Sequence, residues 1–446
     1  MKIKQKMEDK KNFNSNKKSS QSYLLKNCLV IDNVKNKILK NDIYIKDKVI
    51  EDIGKNLTNK IDSKAIIIEC KDRYVAPGLV DMRVNITEPG LEHKETIESA
   101  SKAAASGGIT SIICMPNTTP PIDQPAIIHS IQRKAREVAL SKIFCTGCIT
   151  RNFEGNEICE LHLMKESGAV GFTDGYKTIS NTRVMRRALN YAKSFDGLII
   201  QHAEDPFLKG NGVANEGEIS TRMGLLGIPS YAEAMIVQRD LWMVKDTNCR
   251  YHVSHISTKE TVEIIRKAKK EGLPVTCDTS PPYFILNELS LENYRTFSKL
   301  SPPLRTEEDR KSIVEGICDG TIDAISSDHT PQDQDAKRIP FNQAEFGGVG
   351  LETLLPLTLS LVNNKKIDLI KAISLITINP SKILKLDIGR IEKKKEADLC
   401  IFSTSKPWKV NPEKFHGKSK NSPFDGMLVE GKNLMTFVRG RLVYEL

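Results

Sequence analysis

No stretch of this 446-residue sequence is apolar over the roughly 20 residues that a helix needs to cross a bilayer. No transmembrane segment is therefore expected. The opening residues, MKIKQKMEDKKNFNSNKKSSQSY, contain no apolar core of the kind found in a secretory signal. They are rich in Lys, Asn and Ser, so residues 1–22 are expected to form a disordered basic tail. The ten cysteines show no framework of pairs. Without an export signal, this predicts free thiols in a reducing compartment and a cytoplasmic location. Cys145 and Cys148 form one CxxC, but no second pair and no nearby histidine completes a zinc site. That pair is read as coincidence. Also missing are a recognition helix, an aromatic–basic platform and zinc-finger spacing. The net charge of +10 then predicts a solvated lysine-rich surface rather than a nucleic-acid partner.

What is present is a long alternation. From about Val75 to about Leu386, apolar β-branched runs such as GITSIICMPN, GLIIQHAED and RYHVSHIS alternate with helical patterns such as PAIIHSIQRKAREVALS, YAEAMIVQRDLWMVKDT and KETVEIIRKAKKEG. Strands this uniformly apolar are buried on both faces. So many repeats predict a closed (β/α)8 barrel over residues 75–387. The two ends have a different texture. YLLKNCLVID, KNDIYIKDKVIEDIG and AIIIEC near the start, and ADLCIFS and LVEGKNLMTFVRGRLVYEL near the finish, read as short strands separated by polar turns. They predict a small composite β-sandwich domain built from residues 23–74 and 388–446.

In such barrels the chemistry sits at the C-terminal ends of the strands. Those ends carry Asp81, Arg83, Asn85 and Glu88, then Asn117, Asp174, His202, His255, and finally Asp328 with His329. One histidine after a strand is usually a packed or hydrogen-bonded residue. His202 and His255 at one barrel mouth are instead read as metal ligands, and Asp174 as a carboxylate ligand beside them. A carboxylate at Asp328, after an apolar strand, needs a cation or a proton, which suits a general base near a metal-bound water. His252 is expected to be structural, sharing a strand face with Ser254 and opposite to His255. His93, His129, His162 and His416 are assigned no role.

The run APGLVDMRVNITEPGLEHKETIESASKAAASGGITSIICMPNTTPPID resembles the dihydroorotases of the amidohydrolase superfamily. So do GAVGFTDG, HAED, HISTKET, SPPLR, DGTIDAISSDHTPQD, PFNQAEFGGVGLETLLP and ADLCIF, in order, from about residue 24 to the C-terminus. The resemblance implies a (β/α)8 barrel with a composite β-sandwich. It implies the interconversion of N-carbamoyl-L-aspartate and dihydroorotate in pyrimidine synthesis, with zinc activating a water. By that likeness His202 and His255 match ligands of the second metal, Asp174 a carboxylate that bridges the metals, Asp328 the catalytic Asp, and Asn117 an Asn that holds substrate.

Four elements depart from the family pattern. Its HxH pair, which binds the first metal, is replaced by Arg83 and Asn85. Its substrate-clamping Arg is Thr87, the Asn before PPLR is Ser301, and the His four residues after the catalytic Asp is Gln332. Residues i and i+2 of a strand share a face, so Arg83 and Asn85 are expected where the two histidines would point. A guanidinium has no lone pair for zinc. At most one zinc per chain is therefore expected, with Arg83 pairing Asp174 or Asp328 and lowering the basicity of Asp328. Two readings stay open. One is a one-metal cyclic amidohydrolase with impaired activity on dihydroorotate or N-carbamoyl-L-aspartate. The other is a non-catalytic homologue that scaffolds aspartate carbamoyltransferase. The resemblance also implies a homo-oligomer.

Overall fold

The structure is a computed structural model that describes residues 21–446. The expected disordered tail, residues 1–22, lies outside the described residues except for its last two. Of these, Ser22 is buried, and its carbonyl accepts from the Ile66 amide at 2.9 Å.

The N-terminal segment supplies β1 (Tyr23–Asp32), β2 (Lys37–Lys46), β3 (Val49–Gly54), β4 (Ile66–Glu69) and β5 (Tyr74–Pro77). The chain then enters the barrel through β6 (Leu79–Val84), β7 (Ile109–Cys114), β8 (Lys142–Gly147), β9 (Ala169–Phe172) and β10 (Leu198–His202). A short parallel pair, β11 (Ala214–Asn215) and β12 (Gly227–Ile228), interrupts the series before β13 (Arg250–Ser254), β14 (Val275–Thr279) and β15 (Ala324–Ile325). The last strands are β16 (Leu399–Lys409), β17 (Leu428–Val438) and β18 (Arg441–Glu445).

Eight strands form one parallel sheet in the order β6-β7-β8-β9-β10-β13-β14-β15. Its ends are brought together beyond β15, where His329 bridges to Val84 and the Asn85 amide donates to the His329 carbonyl at 2.8 Å. The result is the α/β barrel that the alternation predicts. All six residues of β7, ITSIIC, are buried, as a strand covered on both faces requires. Helices follow the strands, and some begin with side-chain caps. Thr96 with Ser99, and Thr306 with Asp309, form reciprocal capping boxes.

The other eight-stranded sheet runs β18-β17-β16-β5-β1-β2-β3, with β4 paired to β1. It therefore joins both chain ends. Tyr23, Leu25, Val75, Leu399, Ile401 and Phe437 lie in its core. β5 belongs to this sheet through Pro77, three residues beyond the boundary expected at residue 74. Alternate residues of β16 face the other way, and Cys400 and Phe402 pack into the barrel core. Among the described residues no helix is long and apolar enough to cross a membrane. All ten cysteines are free, and Cys145 and Cys148 are both fully buried.

Candidate functional site

The site forms where the strands of the barrel end. Arg83 is the penultimate residue of β6, with its side chain 5% exposed. Its Nε donates to Asp328 Oδ1 at 2.8 Å, and its Nη1 donates to Ser254 Oγ at 3.2 Å. Of the two carboxylates offered as partners by the sequence, Asp328 is the one engaged. Asn85, two residues on, donates through Nδ2 to the His329 carbonyl at 3.2 Å and to Thr330 Oγ1 at 2.9 Å. The first residue of the replaced pair thus supplies a charge, and the second ties the barrel seam.

From Asp328 a row of polar side chains crosses the mouth. Asp328 Oδ2 lies 3.2 Å from His255 Nδ1. His255 Nε2 and His202 Nδ1 are 2.7 Å apart. His202 Nε2 lies 3.5 Å from Glu204 Oε2. Glu204 also accepts from Ser301 Oγ at 3.2 Å and from the Lys209 ammonium, which in turn reaches Ser301 Oγ at 3.1 Å. Two neutral rings carry one N–H each, so they cannot donate to Asp328, to Glu204 and to each other at once. His255 Nδ1 and His202 Nε2 are both buried without a hydrogen-bond partner among the described residues. The row begins at the Arg83 cation and ends at the Lys209 cation.

The electrostatics follow from burial and these cations. Burial works to raise the Asp328 carboxyl, but His255 and Arg83 outweigh it and hold it at about 2. Burial likewise opposes ionisation of Glu204, yet His202 and Lys209 hold it below the usual carboxylate range. Burial drives His202 down to about 4, so its ring is neutral at physiological pH. Asp81, at the buried centre of β6, is pushed up by burial to about 6 despite accepting from the Ser327 amide at 3.1 Å.

Two members of the row sit on unusual backbone. His255 (φ 41°) and Asp328 (φ 50°) adopt left-handed conformations, which cost of order 1 kcal/mol or more in non-glycine residues. The Asp278 carboxylate accepts the His255 amide at 2.5 Å and holds that turn. The turn also corrects the expectation from strand parity. Ser254 and His255 both face the site, because alternation ends where the backbone leaves the strand. His252 is buried as expected, 2.8 Å from Thr276 Oγ1 and 3.4 Å from Asp278 Oδ1.

Asp174 is not part of the row. Its Oδ1 accepts from the amides of Ile149 (2.8 Å) and Thr150 (2.9 Å), and its Oδ2 from the Thr150 hydroxyl. Burial raises its carboxyl above the ordinary value against these bonds. Asn117 stands at the next rim position. A Cβ on Gly175 (φ 68°) would meet Asn117 Oδ1 at 2.2 Å, so the turn after Asp174 closes around this side chain. Its Nδ2 is buried without a protein acceptor among the described residues. Thr87 Oγ1 donates to the Leu91 and Glu95 carbonyls, each at 3.1 Å. Gln332 accepts from Lys94 Nζ and donates to the Phe346 carbonyl, each at 2.8 Å. Thr87 serves its own loop, and Gln332 ties the loop after β15 to the one after β6.

The structure brings His202 and His255 together but leaves Asp174 apart from them, so the three residues expected to hold zinc are not grouped as one ligand set. The facing nitrogens of His202 and His255 are 2.7 Å apart, a hydrogen bond, while His202 Nε2 and His255 Nδ1 are buried without a partner among the described residues. Asp174 is committed to the loop after β8, and Arg83 holds Asp328. Among the described residues, no three His, Cys, Asp or Glu side chains are grouped to hold a metal.

Glu204, Lys209 and Ser254 were not singled out from the sequence. Glu204 had a signal, since it lies two residues after His202 in HAED. Lys209 had none. It reaches the site because Asp205 caps the short helix Pro206–Lys209 and aims its last residue back.

Residues 72–261 match the family model described as "Dihydro-orotase-like". The chain is 42% identical over 422 residues to a dihydroorotase of Geobacter sp. (strain M21), an alignment covering 95% of this chain and 99% of the other. It is also 42% identical to a dihydroorotase of Ehrlichia chaffeensis, covering 94% of each. Among solved structures it is similar to an L-hydantoinase (dihydropyrimidinase) from Arthrobacter aurescens, with a TM-score of 0.85, 27% identity and 96% of each chain covered. Likeness this extensive in sequence, together with the barrel and the ordered rim residues, makes the chain a member of the dihydroorotase family.

Proposed function

We propose that this chain acts in pyrimidine biosynthesis as a dihydroorotase-family protein that turns over dihydroorotate and N-carbamoyl-L-aspartate slowly or not at all. We propose further that it serves as a non-catalytic companion of aspartate carbamoyltransferase in the cytoplasm. The observation that carries this reading is Arg83, whose guanidinium occupies the β6 end of the mouth and is bonded to both Asp328 and Ser254. A fixed cation there repels a second cation. It also keeps Asp328 ionised and weakly basic, at about 2, where a proton shuttle at neutral pH needs a value near the working pH. Loss of the substrate-clamping arginine at Thr87 removes a charge-assisted contact to a carboxylate.

Zinc content and dihydroorotate hydrolysis of the purified chain test the first part. No turnover with added zinc supports it. Turnover with one zinc per chain would replace it with a one-metal cyclic amidohydrolase, the reading favoured by the adjacency of His202, His255 and Asp328. Co-purification with aspartate carbamoyltransferase expressed alongside tests the second part, and separate elution of the two proteins would overturn it.

A further inference from the structure

Two adjoining cavities, of about 770 and 740 Å³, lie where the terminal sheet meets the barrel. Each falls within the roughly 300–1,000 Å³ of small-molecule sites. The larger is bounded by the end of the helix Ile97–Ser106, by Glu352 and the start of the helix Leu354–Asn363, and by β16, β17 and the segment between them. The wall common to both cavities is cationic. It carries four lysines, Lys409, Lys414, Lys420 and Lys432, against one carboxylate, Glu413.

The fold fixes the centre of this wall. Trp408 stands on β16, and its Nε1 donates to the Gly431 carbonyl of β17 at 2.9 Å, which holds the indole in place. The next residue, Lys432, lays its Nζ 3.6 Å from the centroid of that ring, a cation–π contact. Both side chains are half-buried. Burial holds the Lys432 ammonium below the usual lysine range, opposed by Glu352, and Lys406 and Lys414 push it further down. Glu352 is already engaged, because its Oε1 accepts the His416 amide at 2.5 Å and its Oε2 lies 3.1 Å from His416 Nδ1. Lys409, Lys414 and Lys432 make no ion pair among the described residues.

We infer that this cleft binds a small molecule carrying linked phosphates, its oxygens taken by Lys432, Lys414 and Lys409 and its remainder lying against Trp408. A half-buried ammonium without a counter-ion is stabilised by any anion that reaches it. A single carboxylate would offset only one of the charges on the shared wall, whereas a phosphate chain offsets several and accepts charge-assisted bonds from each lysine. The space beside the indole exceeds what phosphate alone fills, so an organic group has room there. The cleft shares no residue with the polar row at the barrel mouth and is independent of the proposed function.

Trp242→Phe leaves Trp408 as the single tryptophan of the chain, so its emission reports on the cleft. Titration of that full-length variant with inorganic tripolyphosphate and with ATP, each without divalent metal, should give a saturable change. Equal affinities would mean that the phosphate chain alone is recognised, and tighter binding of ATP that its ring also packs in the cleft. Lys432→Met keeps an apolar stem over the indole and removes the charge. It should weaken both ligands about tenfold or more, and Lys414→Met by a smaller factor, with thermal unfolding unchanged in each. Sodium sulfate at matched ionic strength should give no saturation. The absence of a saturable change with either phosphate compound overturns the inference. So does a response that sulfate reproduces, or one that Lys432→Met retains in full. None of these readouts depends on zinc content or turnover.

Discussion

The two halves of the barrel mouth answer the same electrostatic problem differently. On the β10 and β13 side, His202 and His255 keep the residue types of a metal-binding rim, yet their facing nitrogens bond to each other at 2.7 Å. On the β6 side the residue types have changed, and Arg83 now reaches the carboxylate that closes the row. A carboxylate as enclosed as Asp328 requires a positive neighbour. That requirement is met here by a guanidinium built into the chain. The comparison shows that one half can keep its ligand-type residues while the other half decides what they do. With Arg83 paired to Asp328, the two histidines bond to each other within a polar row that ends at Lys209.

The sharpest way to break this comparison is Arg83→Ala. It leaves Asp328 without its guanidinium, and losing one partner of a buried pair costs about 3–5 kcal/mol. Urea unfolding should show a loss of that size, and most of it should return in Arg83→Ala/Asp328→Ala. An unchanged midpoint in Arg83→Ala would mean that the β6 side carries no such charge balance. The pH dependence of stability gives a smaller effect. Asp328 is held at about 2, below its ordinary 3.8. The folded state therefore binds its proton less readily than the unfolded chain. The resulting stability, on the order of 2 kcal/mol, is fully present above 3.8 and is lost as pH falls through about 2. Acid titration of unfolding should show this step in the wild type and a reduced one in Asp328→Asn. Asn85→Ala should have the smallest effect. It removes the bonds to His329 and Thr330 at the seam, worth about 1 kcal/mol each. A midpoint shift as large as that of Arg83→Ala would show that the seam, rather than the charge, dominates the β6 side.

Much of this architecture was legible in the sequence. The barrel followed from the alternation of fully apolar runs with helical patterns, because parallel strands are buried on both faces and leave that signature. The terminal sheet followed from two similar β-rich ends, although β5 carried it to Pro77. That Arg83 would meet a carboxylate could be anticipated from strand-end positions, with Asp174 and Asp328 both open as its partner. Asp174 could not be placed in the same way. Its carboxylate looked free to bind an ion, but two amides and a hydroxyl of the loop after β8 had already claimed it. Lys209 gave no signal, since a lysine after a short helix is ordinarily a solvated residue. Ser254 and His255 defeated the parity argument because the left-handed turn at His255 lies outside the strand rules.

The sequence by itself determined the family, the barrel, and the arrival of a permanent cation at the β6 end of the mouth, because residue type and strand period are local properties. Which carboxylate that cation would take, and that the two histidines would bond to each other, only the tertiary structure decided. Those outcomes depend on distances between strands far apart in the chain, and a hydrogen bond is made or lost within a few tenths of an ångström.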